Sequence, residues 1–330
     1  MTDTALVIGG TRFVGRHLVE ELCSHDYDVT IFNRGNHDNP FADRADVDRV
    51  EGDRTDEMDL RAAKLAVEPD YVFDIVAYHP DEVATATALF ADVDGYVYVS
   101  SGDAYGAEEI PKREGVTELR PCTATQATDD SGATYGNRKA EGDREVRAAA
   151  ADGVNASAVR PCIVYGPHDY TERLDYWISR VLDDEPVVVP GDGDNVWHRA
   201  YVEDVASALR IVAERGEAGE AYNVGDRRLV TIEELVELIA DVADTTVETV
   251  TATDRELSTA GLAADDFVLY REYPHVLATS KLAALGWEST PLREAMAAAV
   301  ADHRDSDRDG REHDPGADAR ATVREVLDTV

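Results

Sequence analysis

Short apolar runs alternate with amphipathic stretches through the first half of the chain. The runs at 6–9, 28–33, 47–51, 71–77, 95–100 and 156–160 read as strands. Most of them are apolar at nearly every position, as strands covered on both faces are. Between them apolar residues recur at helical spacing, as over 13–23 and 134–151. Strand–helix alternation of this kind predicts an α/β protein with a doubly wound parallel sheet. After Pro161 the alternation loosens. Helices are predicted over 173–182, 202–214, 232–242 and 292–303, with Thr231 as N-cap of the third. Gly191-Asp192-Gly193-Asp194 reads as a turn, and 302–318 as a solvated acidic linker before a short C-terminal helix at 319–330.

Composition adds limits. A length of 330 residues admits two domains, or one with a smaller lobe. No apolar run reaches the ~18–20 residues of a membrane span. The N-terminus enters a strand without a basic leader, which argues against a signal peptide. Cys23, Cys122 and Cys162 are widely spaced and lack metal-ligand spacing. They read as reduced thiols in a cytoplasm, with no metal site. The charge is extreme: Asp plus Glu is 68 against Lys plus Arg 32, a net of −36. Only four lysines occur: Lys64, Lys112, Lys139 and Lys281. Such a surface repels itself in dilute buffer and is screened in molar salt, where the Debye length is ~3 Å. The composition therefore points to a salt-accumulating cytoplasm, and it opposes broad binding to nucleic-acid phosphates.

The segment Gly9-Gly10-Thr11-Arg12-Phe13-Val14-Gly15 joins the first strand to the first helix. Glycines in that context permit a tight turn, close helix–strand packing and a pyrophosphate at the helix N-terminus. The sheet is thus read as Rossmann-type. At the end of the second strand, Asn33 and Arg34 suit a 2′-phosphate better than a free ribose hydroxyl, and Arg12 adds a second cation. The cofactor is accordingly NAD or NADP, with NADP favoured. Asp53 is placed to accept from the adenine amino group. Arg54, Ala77 and Pro161, beside Thr11, Phe13 and Val14, complete the cofactor-facing candidates.

Tyr135 and Lys139 are four residues apart on a predicted helix and share one face. A phenol with pKa ~10 is a poor base at neutral pH. An adjacent ammonium stabilises the phenolate, and lowering it by ~3 pH units requires ~4 kcal/mol of differential interaction. Ser101 follows the fifth strand, at the carboxyl edge where ligands of open α/β sheets bind. Its hydroxyl could hold a substrate oxygen.

Together Gly9–Gly15, Ser100-Ser101 with Ala104-Tyr105-Gly106, Tyr135-x-x-x-Lys139 and Arg160-Pro161 with Tyr165-Gly166-Pro167 resemble the extended short-chain dehydrogenase/reductase family. The likeness covers residues 1–300, and Tyr222-Asn223-Val224-Gly225 and Leu285-Gly286-Trp287 look like later landmarks of the same family. The resemblance implies an NAD(P)-dependent epimerase or dehydratase of nucleotide sugars, with Ser101, Tyr135 and Lys139 as the catalytic set. It implies a cofactor domain over 1–165, with 195–215 added, and a smaller substrate lobe over 166–300. A homodimer is compatible with it. Arg12 occupies the family's middle glycine, a variant similar to the subgroup that contains chloroplast stem-loop RNA-binding proteins.

Other departures bear on substrate. Ile163 stands where the epimerases usually have an asparagine, and Trp197 where many have a phosphate-binding arginine. Arg199, two residues on, shares that face of a strand. Gly102 and Asp103 retain half of the dehydratases' acidic pair. His79 and His168 are further substrate candidates, each more simply a loop histidine. The leading expectation is a nucleotide-sugar epimerase. The alternatives are a dehydrogenase of a free sugar or small carbonyl, and a non-catalytic RNA-binding relative.

Overall fold

The computed structural model of the protein describes residues 2–183 and 185–327. The chain forms two units. One comprises Met1–Val164, Val202–Gly225 and Leu277–Ser289; the other comprises Tyr165–Tyr201, Asp226–Val276 and Thr290–Val330.

The first unit is built on seven parallel strands: β1 (Thr4–Ile8), β2 (Asp28–Asn33), β3 (Val47–Glu51), β4 (Tyr71–Asp74), β5 (Gly95–Val99), β6 (Ala156–Pro161) and β7 (Ala221–Val224). Their order across the sheet is β7-β6-β5-β4-β1-β2-β3. β1 is paired on one side with β2, Ile8 opposite Phe32, and on the other with β4, Ile8 opposite Asp74. Strand order reverses there, so the carboxyl ends of β1 and β4 flank the crevice where such sheets bind ligands. Helices α1 (Phe13–Ser24), α2 (Glu57–Val67), α3 (Pro80–Leu89), α4 (Tyr135–Ala151) and α5 (Val202–Arg215) flank the sheet. α1 packs against α5, and α3 against α4. The core holds Leu6, Ile8, Phe32, Val72, Tyr96 and Ala158, all fully or almost fully buried.

Most strands lie within two residues of the sequence expectation, and β4 and β7 differ from it more. β4 ends at Asp74, and the apolar residues 75–77 continue as a loop. β7 lies outside the strands that the apolar pattern predicts. It carries a fully buried polar residue, Asn223, whose side-chain amide is satisfied by the Lys112 and Ala278 carbonyls and by the Tyr105 hydroxyl.

In the second unit Val187–Pro190 pairs in parallel with Thr249–Ala252. The helices there are Arg173–Leu182, Ile232–Ala243, Leu292–Arg304 and Ala317–Leu327. Thr231 and Glu234 form a reciprocal capping box on the second of them. The segment read as a solvated linker is fastened down instead. Ser179 donates to the Asp309 carbonyl at 2.8 Å, and Gly310 donates to Glu172 at 3.0 Å. Asp175 holds both His303 and Arg308. A count of charges shows how many there are but not which find partners. Among the described residues, no helix is long and apolar enough to cross a membrane.

Candidate active site

The loop after β1 depends on two glycines. Gly9 has φ +101°, and a Cβ there would lie 2.6 Å from a methyl of Val76. A Cβ on Gly15 would lie 2.1 Å from the Gly9 carbonyl oxygen, so α1 starts hard against the loop. Arg12 is extended at φ −125°, a conformation that needs no glycine, and its side chain is exposed. The N-cap residue Arg12 makes no side-chain capping hydrogen bond, and the backbone N–H groups of such a first turn can receive an anion. These features fit a dinucleotide: the cradle is one that any Cβ at Gly9 or Gly15 would fill.

Opposite this cradle, α4 begins at Tyr135. Its approach to the turn after β5 is set by Gly136, where a Cβ would lie 2.4 Å from the Asp103 carbonyl oxygen. Ser101 Oγ accepts from the Asp103 N–H at 3.1 Å, which fixes the hydroxyl at the head of this turn. Farther along α4, Gly142 leaves room for the Tyr98 hydroxyl in the same way. The Lys139 ammonium lies 5.7 Å from the centre of the Tyr135 ring. It is buried and donates to the carbonyls of Ala77 and Val99, both at 2.7 Å. Burial pushes its pKa down to about 8, opposed by the charges of Asp74 and Asp143. Behind the pair, Arg160 bridges Asp143 and the Tyr105 hydroxyl, at 2.9 and 2.8 Å.

Residues 5–225 match the model of the NAD dependent epimerase/dehydratase family. The chain belongs to that family. Among curated relatives, the chloroplast stem-loop binding protein of 41 kDa b from Arabidopsis thaliana is 26% identical over 71% of this chain; the match spans 62% of that protein. Low-salt glycan biosynthesis protein Agl12 from Haloferax volcanii is 27% identical, covering 72% of this chain and 83% of that one. dTDP-glucose 4,6-dehydratase 1 from Escherichia coli is also 27% identical, over 72% and 76%. Among solved structures, UDP-glucose 4-epimerase from Thermotoga maritima superposes with a TM-score of 0.73 at 22% identity, over 92% of this chain and 99% of that one. That last likeness establishes the fold, an α/β Rossmann-type parallel sheet flanked by helices. NAD is the cofactor class of this epimerase/dehydratase family.

The remaining residues singled out in the sequence of this family member are placed as follows. Arg34 is exposed at the end of β2, with its guanidinium 4.0 Å from the Asp53 carboxylate. Asn33 accepts from the Gly35 N–H, and Asp53 from Thr55. Thr55 N–H holds the Asp53 carboxyl below its ordinary pKa. Arg54, a cofactor-facing candidate, is buried in an ion pair with Asp74, whose carboxylate also accepts from Tyr96. His79 is likewise a structural clasp: its ring nitrogens meet the Ala127 carbonyl at 2.9 Å and Asp130 at 2.8 Å. Burial works against its protonation, but these two contacts outweigh it and raise the pKa. Ile163 is half-buried just past Pro161, and Asp103 contributes backbone contacts to the turn. In the second unit, His168 donates its N–H to Asp302. Arg199 is buried there and donates to the Val230 carbonyl at 2.8 Å. Gly136 went unremarked in the sequence, since its need arises only from Asp103, more than thirty residues upstream.

Proposed function

We propose that the protein is a nucleotide-sugar epimerase in which Tyr135 moves the proton and Lys139 supports it. The observation that carries this reading is the buried Lys139 ammonium, held on two carbonyls beside the Tyr135 ring and next to the crevice at β1 and β4. When bound, the nicotinamide accepts and returns a hydride. This chain's residues do the rest. Tyr135 takes the proton of a sugar hydroxyl and later gives it back. Two of the ammonium's three protons are committed to carbonyls, which leaves the third for the phenolate or a ribose hydroxyl. Ser101 orients the substrate oxygen.

The nucleotide-sugar names of the relatives support the substrate class. Exposed Arg34 supports a preference for NADP. Ile163 favours a second reading, a dehydrogenase of a free sugar, because an isoleucine cannot donate a hydrogen bond to a sugar. The test is to incubate UDP-glucose, dTDP-glucose and free sugars with the protein and NAD or NADP, following products by NMR. Isomerised nucleotide sugar without net cofactor reduction is expected. Tyr135→Phe should lower turnover by ~10²–10⁴ and leave cofactor affinity intact. Normal turnover by that variant refutes the assignment; net reduction with a free sugar selects the second reading.

A further inference from the structure

The Lys139 ammonium is surrounded by more than its two carbonyls. Three tyrosine rings face it. Tyr98 of β5 has its centroid 4.8 Å away, Tyr78 of the loop after β4 is at 5.1 Å, and Tyr135 of α4 is at 5.7 Å. All three lie within the ~6 Å over which a cation is attracted to a ring face. Their exposures differ. Tyr98 is 1% exposed and forms an inner wall, whereas Tyr78 is 44% exposed and forms the outer one. The Tyr78 backbone is pinned, because its carbonyl accepts from Arg138 at 3.1 Å and its N–H donates to Glu82 at 2.7 Å.

We propose that Tyr78 is a positioning residue whose ring closes a three-tyrosine cage and holds the Lys139 ammonium, still charged, beside Tyr135. The proposal rests on the reading of Tyr135 and Lys139 given above and adds to it the group that controls the lysine. A fully buried ammonium loses its hydration, and two carbonyls replace only part of it. The electron-rich faces of the rings supply a further share without introducing a negative charge that would oppose a phenolate. The charged groups around Lys139 are Asp74 of β4, Asp143 of α4, Glu82 of α3 and Arg54 after β3. The first three favour the ammonium and Arg54 opposes it. Tyr78 is the wall that a substitution can remove without emptying the core.

Only four lysines occur in the chain. Protein labelled with ¹³C-lysine therefore gives four side-chain signals, and Lys139→Met identifies one of them. The signals are followed through a pH titration with neither cofactor nor sugar present. Lys139 should titrate near pH 8 in the wild type. In Tyr78→Leu its midpoint should fall by about half a pH unit or more, the size of a partly exposed cation–π contact. Tyr78→Phe retains a ring face and should restore the wild-type midpoint, and Tyr78→Trp should match or exceed it. Lys64, Lys112 and Lys281 serve as internal controls of folding; if they move in Tyr78→Leu, the Phe and Trp variants decide. An unchanged or raised midpoint in Tyr78→Leu, or a fall in Tyr78→Phe equal to that in Tyr78→Leu, overturns the proposal. Because no substrate is used, that failure would leave the role of Tyr135 untouched. An active Tyr135→Phe variant would in turn leave the cage standing.

Discussion

Gly136 is the position where one methyl group should cost activity without costing the fold. In Gly136→Ala the new Cβ would sit 2.4 Å from the Asp103 oxygen and 2.9 Å from Cδ and Nε of Arg120. Carbon–oxygen contacts of this kind normally lie at ~3.3–3.6 Å, so a separation of about 1 Å has to be opened. The Arg120 side chain can swing away. The Asp103 carbonyl is backbone and can give way only together with its turn, because its own residue's N–H is tied to Ser101 Oγ at 3.1 Å. Relief therefore moves the Ser101 turn away from the start of α4, where Tyr135 lies. A misplacement of ~1 Å between reacting groups lowers turnover by as much as ~10²-fold.

The stability change should be smaller. Overpacking costs about 1–3 kcal/mol, and alanine recovers up to ~1 kcal/mol over glycine within a helix. The assay compares turnover, NAD affinity by calorimetry and melting temperature with those of Gly132→Ala. Gly132 precedes the same helix, and a Cβ there would meet nothing within 4 Å. Turnover should collapse in Gly136→Ala alone, with NAD affinity held. Undiminished turnover would mean the approach of α4 to the turn does not govern the chemistry.

Three further outcomes are expected. Arg34→Ala should weaken NADP more than NAD at one fixed salt concentration, because the exposed guanidinium is held loosely, 4.0 Å from the Asp53 carboxylate; equal losses would end the NADP preference. His198, buried with Nε2 2.7 Å from the Asp226 carbonyl, has its pKa pushed down to about 4 by burial. It stays neutral in the fold but protonates on unfolding below about pH 6.5, so stability is lost as pH falls from there toward 4. The melting-temperature advantage of wild type over His198→Gln should accordingly shrink from neutral pH to pH ~5, and a constant gap refutes this. With a net charge of −36, the melting temperature should rise steeply from dilute buffer to molar KCl, where the Debye length shortens to ~3 Å; equal stability in both would remove the inference of a salt-rich cytoplasm.

Regular periodicity made much of the fold legible. The strands at 28–33 and 47–51 and the helix at 173–182 have the bounds expected from the sequence. A spacing of four likewise placed Lys139 beside Tyr135, since that relation is fixed by the helix alone. What escaped depends on partners distant in sequence. Nothing local to Arg54 announces Asp74, its buried partner twenty residues on. The charges of 302–318 looked solvated because Glu172, Asp175 and Ser179, which hold them, lie more than a hundred residues earlier. β7 was missed because its Asn223 reads as polar, although it is satisfied inside the sheet.

Lysine is scarce in this chain, with four in all. Each of the four donates to a backbone carbonyl: Lys64 to Leu89, Lys112 to Glu109, Lys281 to Ala221, and Lys139 to Ala77 and Val99. A compact ammonium on a flexible stem is readily held by backbone carbonyls. Lysine in this chain therefore marks a structural tie as readily as a catalytic one, and rarity alone does not separate Lys139 from the rest. Its setting does. Lys64, Lys112 and Lys281 each also meet a carboxylate, Asp92, Glu108 and Glu220 respectively, which neutralises the charge in place. Lys139 has no carboxylate in such contact among the described residues. Two carbonyls and three aromatic faces hold it, and none of these cancels its charge. An ammonium kept buried, charged and unneutralised beside a phenol is of little use to stability, and it is what a tyrosine base requires.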